Sequence, residues 1–166
     1  MVSAFVMWVA LAGSPAQAAE PTFEVLPDGT IEARMHFDAT VDELRAVISN
    51  PKVRQDLSSD VYSVDVKPEG RCSKLQISTR GMFRPLAVLS VFCPTDSGFK
   101  ESLVSSSDFT HYEQEWSFTP RANGTDVVFR THSVPNLPVP TAVLNNSTQS
   151  SVSDMFGKLV VRLVTP

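Results

Sequence analysis

A chain of 166 residues with a formal net charge of −4 is one domain in length and carries no excess of basic side chains, which argues against nucleic acid and anionic membrane surfaces as partners. Two cysteines that lie far apart and three histidines with no paired spacing leave no pattern for a metal site. A chain of this length buries enough surface to fold without a metal or cofactor, and no cofactor is expected.

Phe5 to Ala12 is a short apolar run, followed by Gly13-Ser14-Pro15 and then Ala16-Gln17-Ala18. That is the order of a secretory signal peptide, an apolar core and a breaker before an A-x-A cleavage site, although no Lys or Arg precedes Phe5. Residues 1–18 are therefore expected to be a signal peptide and residues 19–166 the mature domain, secreted or periplasmic. A disordered apolar tail is the alternative. The run is far shorter than the roughly 20 residues that span a bilayer, so no integral membrane segment is expected after cleavage. Ser14 stands where a lipoprotein signal would carry Cys.

Phe23 to Leu26 reads as a short strand, and Pro27-Asp28-Gly29 as a turn. In "TIEARMHF", Ile31, Ala33, Met35 and Phe37 share one face and Glu32, Arg34 and His36 the other, the alternation of a half-buried strand. Thr40 and Glu43 have capping-box spacing before a helix whose buried side is Leu44, Val47 and Ile48. Asn50-Pro51 ends that helix, and a second short helix runs from Pro51 to Leu57.

From Asp60 the pattern is β for about 70 residues. In "VYSVDVK", Tyr62, Val64 and Val66 are expected on one side; in "CSKLQIST", Leu75 and Ile77. "LAVLSVF" is apolar on both sides, the mark of a strand covered on both faces. "FKESLVS" is a weaker strand. In "HYEQEWSF", Tyr112, Gln114, Trp116 and Phe118 point inward and His111, Glu113, Glu115 and Ser117 outward. Asn123-Gly124 signals a hairpin, and "TDVVFRTHS" returns with Thr125, Val127, Phe129 and Thr131 inward.

Pairing 72–79 with 86–93 around a loop at 80–85 puts Thr79 opposite Leu86, Ile77 opposite Val88, Leu75 opposite Ser90, and Cys72 opposite Cys93. Directly opposed residues have Cβ atoms about 4.5–5.5 Å apart, near enough for a disulfide after a small adjustment. The alternative is two free structural thiols.

The tail poses a choice. Asn145 to Ser151 is seven polar residues in a row, which composition alone would call a linker. Leu144, Thr148, Val152, Met155, Leu159 and Leu163 nonetheless recur at helical steps, and no proline interrupts 141–165. The spacing predicts one long C-terminal helix, its first half polar on most of its circumference. Such a half either projects past the sheet or lies over a cavity instead of packed core.

Strand, two short helices, a run of antiparallel strands and a long last helix make an α+β layer arrangement. With "WSFTPRANGTDVVF" at 116–129 and "VPNLPVP" at 134–140, this order resembles the helix-grip fold of the START-like (SRPBCC) superfamily over residues 22–165, nearest in pattern to polyketide cyclases and coenzyme-Q-binding START proteins. The resemblance implies a curved antiparallel β-sheet wrapped around the C-terminal α-helix, with two short helices after the first strand and an apolar pocket between sheet and helix. Carried over by position, the sheet would line that pocket with Leu75, Ile77, Val88 and Tyr112, and further with Trp116, Phe118, Val127 and Phe129. Leu144, Thr148, Val152 and Met155 would line it from the helix, and Gln114 is the inward polar residue able to hydrogen-bond a ligand. Each of these residues would equally suit a packed core. The implied partner is a hydrophobic small molecule or lipid (isoprenoid or polyketide-like), bound by a monomer.

No catalytic constellation emerges. By alternation His36, His111 and His132 point outward, as do Glu113 and Glu115. No phosphate-binding glycine loop, H-E-x-x-H or G-x-S-x-G is present. Non-enzymatic binding or transport is the first reading. A polyketide-cyclase-like enzyme using scattered pocket residues is the alternative, and an interaction module using the sheet's outer face is a third.

Overall fold

The computed structural model describes residues 20–58, 60–81 and 84–164. The stretch read as a signal peptide lies outside these residues.

Eight strands form one antiparallel sheet: β1 (Thr22–Val25), β2 (Ile31–Phe37), β3 (Val61–Glu69), β4 (Cys72–Thr79), β5 (Leu86–Pro94), β6 (Gly98–Ser105), β7 (Phe109–Arg121) and β8 (Gly124–Pro135). Their spatial order is β1-β2-β8-β7-β6-β5-β4-β3. Neighbours in sequence are therefore neighbours in space, except β2 and β3: β3 lies at the far edge of the sheet, and β2 pairs instead with β8. Two short helices, α1 (Val41–Ile48) and α2 (Val53–Leu57), fill the connection from β2, the first long strand, to β3. One helix, α3 (Thr141–Val164), follows the sheet.

Local chemistry explains the joints. Thr40 caps α1: its hydroxyl accepts from the Glu43 amide at 3.2 Å, and the Glu43 carboxylate accepts from the Thr40 amide at 2.8 Å. Donation to it by the Thr40 amide, and then by the Thr40 hydroxyl, holds the Glu43 carboxyl below the usual carboxylate range. The β7–β8 connection has Ala122 and Asn123 as its two loop residues, with Gly124 already paired to Arg121. Gly124 takes φ +134°, and a Cβ there would stand 2.1 Å from the Phe37 carbonyl oxygen, so this corner requires glycine.

The β4–β5 register is as the sequence reading drew it: Thr79 faces Leu86, Ile77 faces Val88 and Leu75 faces Ser90. Cys72 and Cys93 are joined by a disulfide, with Cα atoms 4.3 Å apart.

Two strand readings change. Tyr62 is exposed, not inward, because the β3–β4 register shifts between Val61 and Ser63. The extra residue flips the phase, so Val61 and Val64, three apart, both face the core. In β5 the inward residues are Val88, Ser90 and Phe92, while Leu89 and Val91 are half-buried on the outer face. The strand is central in the sheet, but none of the described elements covers its outer side.

That outer face carries charge. Glu32, although outward, is only 2% exposed, because Arg34 and Arg130 close over it. Burial works against its charge, but the hydrogen bond and charge of Arg130, then those of Arg34, outweigh it and hold the carboxyl low. The inner face carries the core, an aromatic cluster around Phe156 of α3. Its ring lies 5.6 Å from Phe37, 5.9 Å from Trp116 and 6.3 Å from Phe129. Phe92 stacks on Phe99 at 5.0 Å and Phe99 meets Phe118 edge-on at 6.2 Å. Val152, Phe156 and Leu159 are the buried residues of α3, and none lies before Val152.

Candidate ligand-binding site

The polar first half of α3 lies over a hollow. Between it and the sheet is a cavity of about 500 Å³, partly open to solvent. This volume is in the range of small-molecule pockets, roughly 300–1,000 Å³. The wall is mostly apolar.

Strand alternation sets the sheet side. Ile77 and Val88, directly opposed on β4 and β5, form one part of the wall. Tyr112, Gln114 and Trp116 of β7 form another, with Phe129 of β8 opposite Trp116. Trp116 and Phe129, with ring centroids 4.6 Å apart, close the inner end. Leu144, Thr148, Val152 and Met155 face in from α3. These ten residues, expected on the wall from the sequence, are brought together there.

Leu75, Phe118 and Val127 do not line the cavity. Phe118 and Val127 face each other one step beyond Trp116 and Phe129, towards the end of the sheet where Phe99 packs. Leu75 lies one inward step past Ile77 and is fully buried. At these three positions the packed-core alternative holds.

Several wall residues escaped the sequence reading. Ile48, Val53 and Leu57 come from the helical connection, and Val61 through the β3 irregularity. Phe109 begins β7 beside Tyr112, with ring centroids 6.0 Å apart. Only the apolar spacing of α1 and α2 hinted that these helices form a side wall.

The mouth is polar and braced. Ser151 of α3 donates a hydrogen bond to the Asp60 carboxylate, tying the helix to the start of β3. The Asp60 carbonyl accepts from the Thr79 hydroxyl at 2.8 Å and from the Arg80 amide at 2.6 Å. Arg80 also places its Nε 4.0 Å from the Asp60 carboxylate. On the opposite rim, Asp108 accepts from the Ala87 amide at 2.8 Å and from Arg84, and those bonds, in that order, hold its carboxyl below the usual range. The Asn136 side chain donates to the Ser107 carbonyl at 2.7 Å, fastening the end of β8 to the same turn. Leu86, Phe109 and Pro135 on this rim are thereby held against the opening.

One residue that was not singled out from the sequence stands just behind the wall. Glu101 of β6 is fully buried on the inner face, directly opposite Gln114, and accepts from the Ser90 hydroxyl at 2.5 Å. Its phase with Phe99 and Leu103 was the available signal. His36, His111 and His132 lie on the outer face, as alternation had indicated. Among the described residues no group of His, Cys, Asp and Glu has the arrangement of a metal site.

No protein-family profile and no curated protein sequence matches the chain. Solved structures do match in shape. A START superfamily protein from Mycobacterium smegmatis superposes with a TM-score of 0.70 over 81% of this chain and 96% of its own, at 14% identity. A STAR-related lipid transfer protein from Xanthomonas axonopodis gives 0.68 over 91% and 96%, at 12% identity. The chain has the START-like, helix-grip fold. The Zhui aromatase/cyclase from a Streptomyces species is also similar, with a TM-score of 0.63 over 81% of this chain and 90% of its own, at 11% identity. At these identities the likeness is one of fold, and the START-like fold here comes with a hollow between sheet and helix.

Proposed function

We propose that this protein binds or carries a hydrophobic molecule, a lipid, isoprenoid or polyketide-like compound, without catalysing a reaction. The observation that carries this reading is the apolar cavity of about 500 Å³ beneath the polar half of α3. The names of similar structures, a lipid transfer protein among them, support the ligand class. We further propose that residues 1–18 direct export to the periplasm or the medium, that residues 19–166 are the mature domain, and that it acts as a monomer. A disulfide suits an oxidising compartment. No helix among the described residues is long and apolar enough to cross a membrane.

Trp116 supplies the test. Without residues 1–18 it is the sole tryptophan of the chain, and it lines the inner end of the cavity. Its fluorescence shifts when an apolar ligand enters. If apolar dyes and lipid extracts leave the emission unchanged, the reading fails.

The aromatase/cyclase among the similar structures keeps a second reading open. Among the described wall residues, the ionisable side chains are Asp60, Arg80 and Tyr112, and Asp60 is already engaged by Ser151 and Arg80. A cyclase would draw its acid–base group from these or from Glu101 behind them.

A further inference from the structure

The polar groups of the cavity wall fall into two sets. On the side built by the helical connection, β3 and β4, they are engaged by the protein itself. The Asn50 side-chain oxygen accepts from the Lys52 amide at 3.1 Å and the Ser58 hydroxyl from the Asp60 amide at 3.3 Å. The Thr79 hydroxyl donates to the Asp60 carbonyl, and Ser151 and Arg80 hold the Asp60 carboxylate. What this side turns to the cavity beyond those groups is apolar: Ile48, Val53, Leu57, Val61 and Ile77.

On the side built by β7 and β8 the polar groups are spare. Gln114 and Thr131 are directly opposed, Ser133 is the next inward residue of β8, and all three line the cavity. None of their side chains has a hydrogen-bond partner among the described residues. Ser147 and Thr148 in the roof are likewise unengaged. Thr131 is only 7% exposed, so its hydroxyl depends on whatever occupies the cavity. Water serves an empty cavity, and a guest that displaces it loses affinity unless it replaces those hydrogen bonds.

Resting on the hydrophobic-ligand reading above, we propose that the cavity selects a neutral ring compound oxygenated along one edge. Its oxygens lie against Gln114, Thr131 and Ser133, and its bare edge lies against the apolar side. The spacing of the spare groups sets the requirement. Thr131 and Ser133 stand at successive inward steps of β8, about 7 Å apart along the strand. A guest that meets both while turning only carbon to the opposite side carries two oxygens at about that spacing on one edge. A plain acyl chain has its polar atoms at one end only. A carboxylate at this depth would meet no cation, because the charged residues on the described wall, Asp60 and Arg80, are engaged with each other at the mouth. Trp116 and Phe129 at the inner end offer aromatic surface to a flat guest.

The test is displacement of N-phenyl-1-naphthylamine, a neutral apolar dye, by two isomers, 2,7- and 2,6-dihydroxynaphthalene. In the 2,7-isomer both oxygens lie on one long edge, about 7 Å apart, close to the two-residue step of a strand. In the 2,6-isomer they lie on opposite edges. Size and charge are the same, so the comparison reads only where the oxygens stand. For the full protein, the 2,7-isomer displaces the dye at a concentration about tenfold lower than the 2,6-isomer, the size of one well-made buried hydrogen bond. In Thr131→Val, which keeps the branched shape and removes the hydroxyl, that ratio falls towards one. Ser133→Ala gives the same loss of preference should Thr131→Val fold poorly. A residue that merely shaped the wall would shift both isomers together and leave the ratio alone. Equal displacement by the two isomers, displacement by neither where the dye binds, or a preference that survives both substitutions overturns the inference and leaves the hydrophobic-ligand reading standing. No dye binding at all overturns both.

Discussion

The two halves of α3 meet the same sheet in opposite ways. From Val152 onward the helix buries Val152, Phe156 and Leu159 against Phe37, Trp116 and Phe129, and the layers are in contact. Before Val152 nothing in the helix is buried, and Leu144 and Thr148 look across open space. One continuous helix serves as a packing element at one end and a roof at the other. The packed half anchors the roof, so the hollow half can give up core contacts without unravelling. Ser151 bonded to Asp60 adds a polar tie where apolar burial has stopped.

This contrast can be broken at the packed end. Phe156→Ala removes a fully buried ring from the centre of the aromatic cluster and is expected to cost about 3–5 kcal/mol. The matching truncation in the roof, Leu144→Ala, removes a half-buried side chain that already borders empty space and should cost about 1 kcal/mol. Urea denaturation of both variants checks the pair. Equal losses would mean that the two halves are packed alike.

The disulfide lies at the packed end too, since β4 and β5 run from Cys72 and Cys93 towards Thr79 and Leu86 at the cavity rim. Replacing both cysteines by alanine is expected to cost about 3 kcal/mol in the chain-entropy account and to leave dye binding unchanged. Thermal melts beside a dye titration separate the two effects. A large loss of binding at preserved structure would show that the ends are coupled.

Filling the hollow sharpens the comparison from the other side. Thr148→Phe places a ring in the cavity and should change stability by no more than about 1 kcal/mol, because there is space for it. Ligand affinity should fall at least about tenfold, as a ring removes room the ligand needs. A fully destabilised variant would mean that the space is not there.

The smallest effect is electrostatic. His36, on the outer face of β2, bonds Asp126 at 2.8 Å and the Asn123 carbonyl at 3.1 Å. The bond to Asp126 is the main cause that raises its pKa above the ordinary histidine value. A raised folded pKa gives stability that is complete below the unfolded value, about 6.5, and that is lost as pH rises through the folded value. The melting temperature of His36→Gln should therefore trail that of the unaltered protein more at pH 5.5 than at pH 8. A gap that is constant or wider at high pH would assign the effect to packing.

Much of the fold was legible because its signals are local. Alternation placed Tyr112, Gln114 and Trp116 inward, the Thr40–Glu43 spacing placed α1, and the opposed cysteines fixed the β4–β5 register. What was not legible depends on events outside the local pattern. One extra residue in β3 turned Tyr62 outward and Val61 inward, and nothing in "VYSVDVK" marks that shift. Phe156 was passed over because a stripe drawn through Met155 stays regular, while the helix in fact turns Phe156 to the sheet and leaves Met155 half-exposed over the cavity. Glu101 stood in a strand read as weak and was not singled out. Its burial follows from phase with Phe99 and Leu103, a signal that polarity masked. Leu75, Phe118 and Val127 share a face with the wall residues, but alternation tells which face a residue is on and not how far along it the hollow extends.

The central claim is that the hollow half of the molecule holds a hydrophobic guest. Native mass spectrometry of the protein purified from its own producing cells tests this most directly, with organic extraction of whatever is released. An added mass that dissociates on denaturation and is recovered as an apolar lipid or isoprenoid is the expected result. A protein that shows only its own mass, and still does after incubation with the lipid extract of those cells, would contradict the claim.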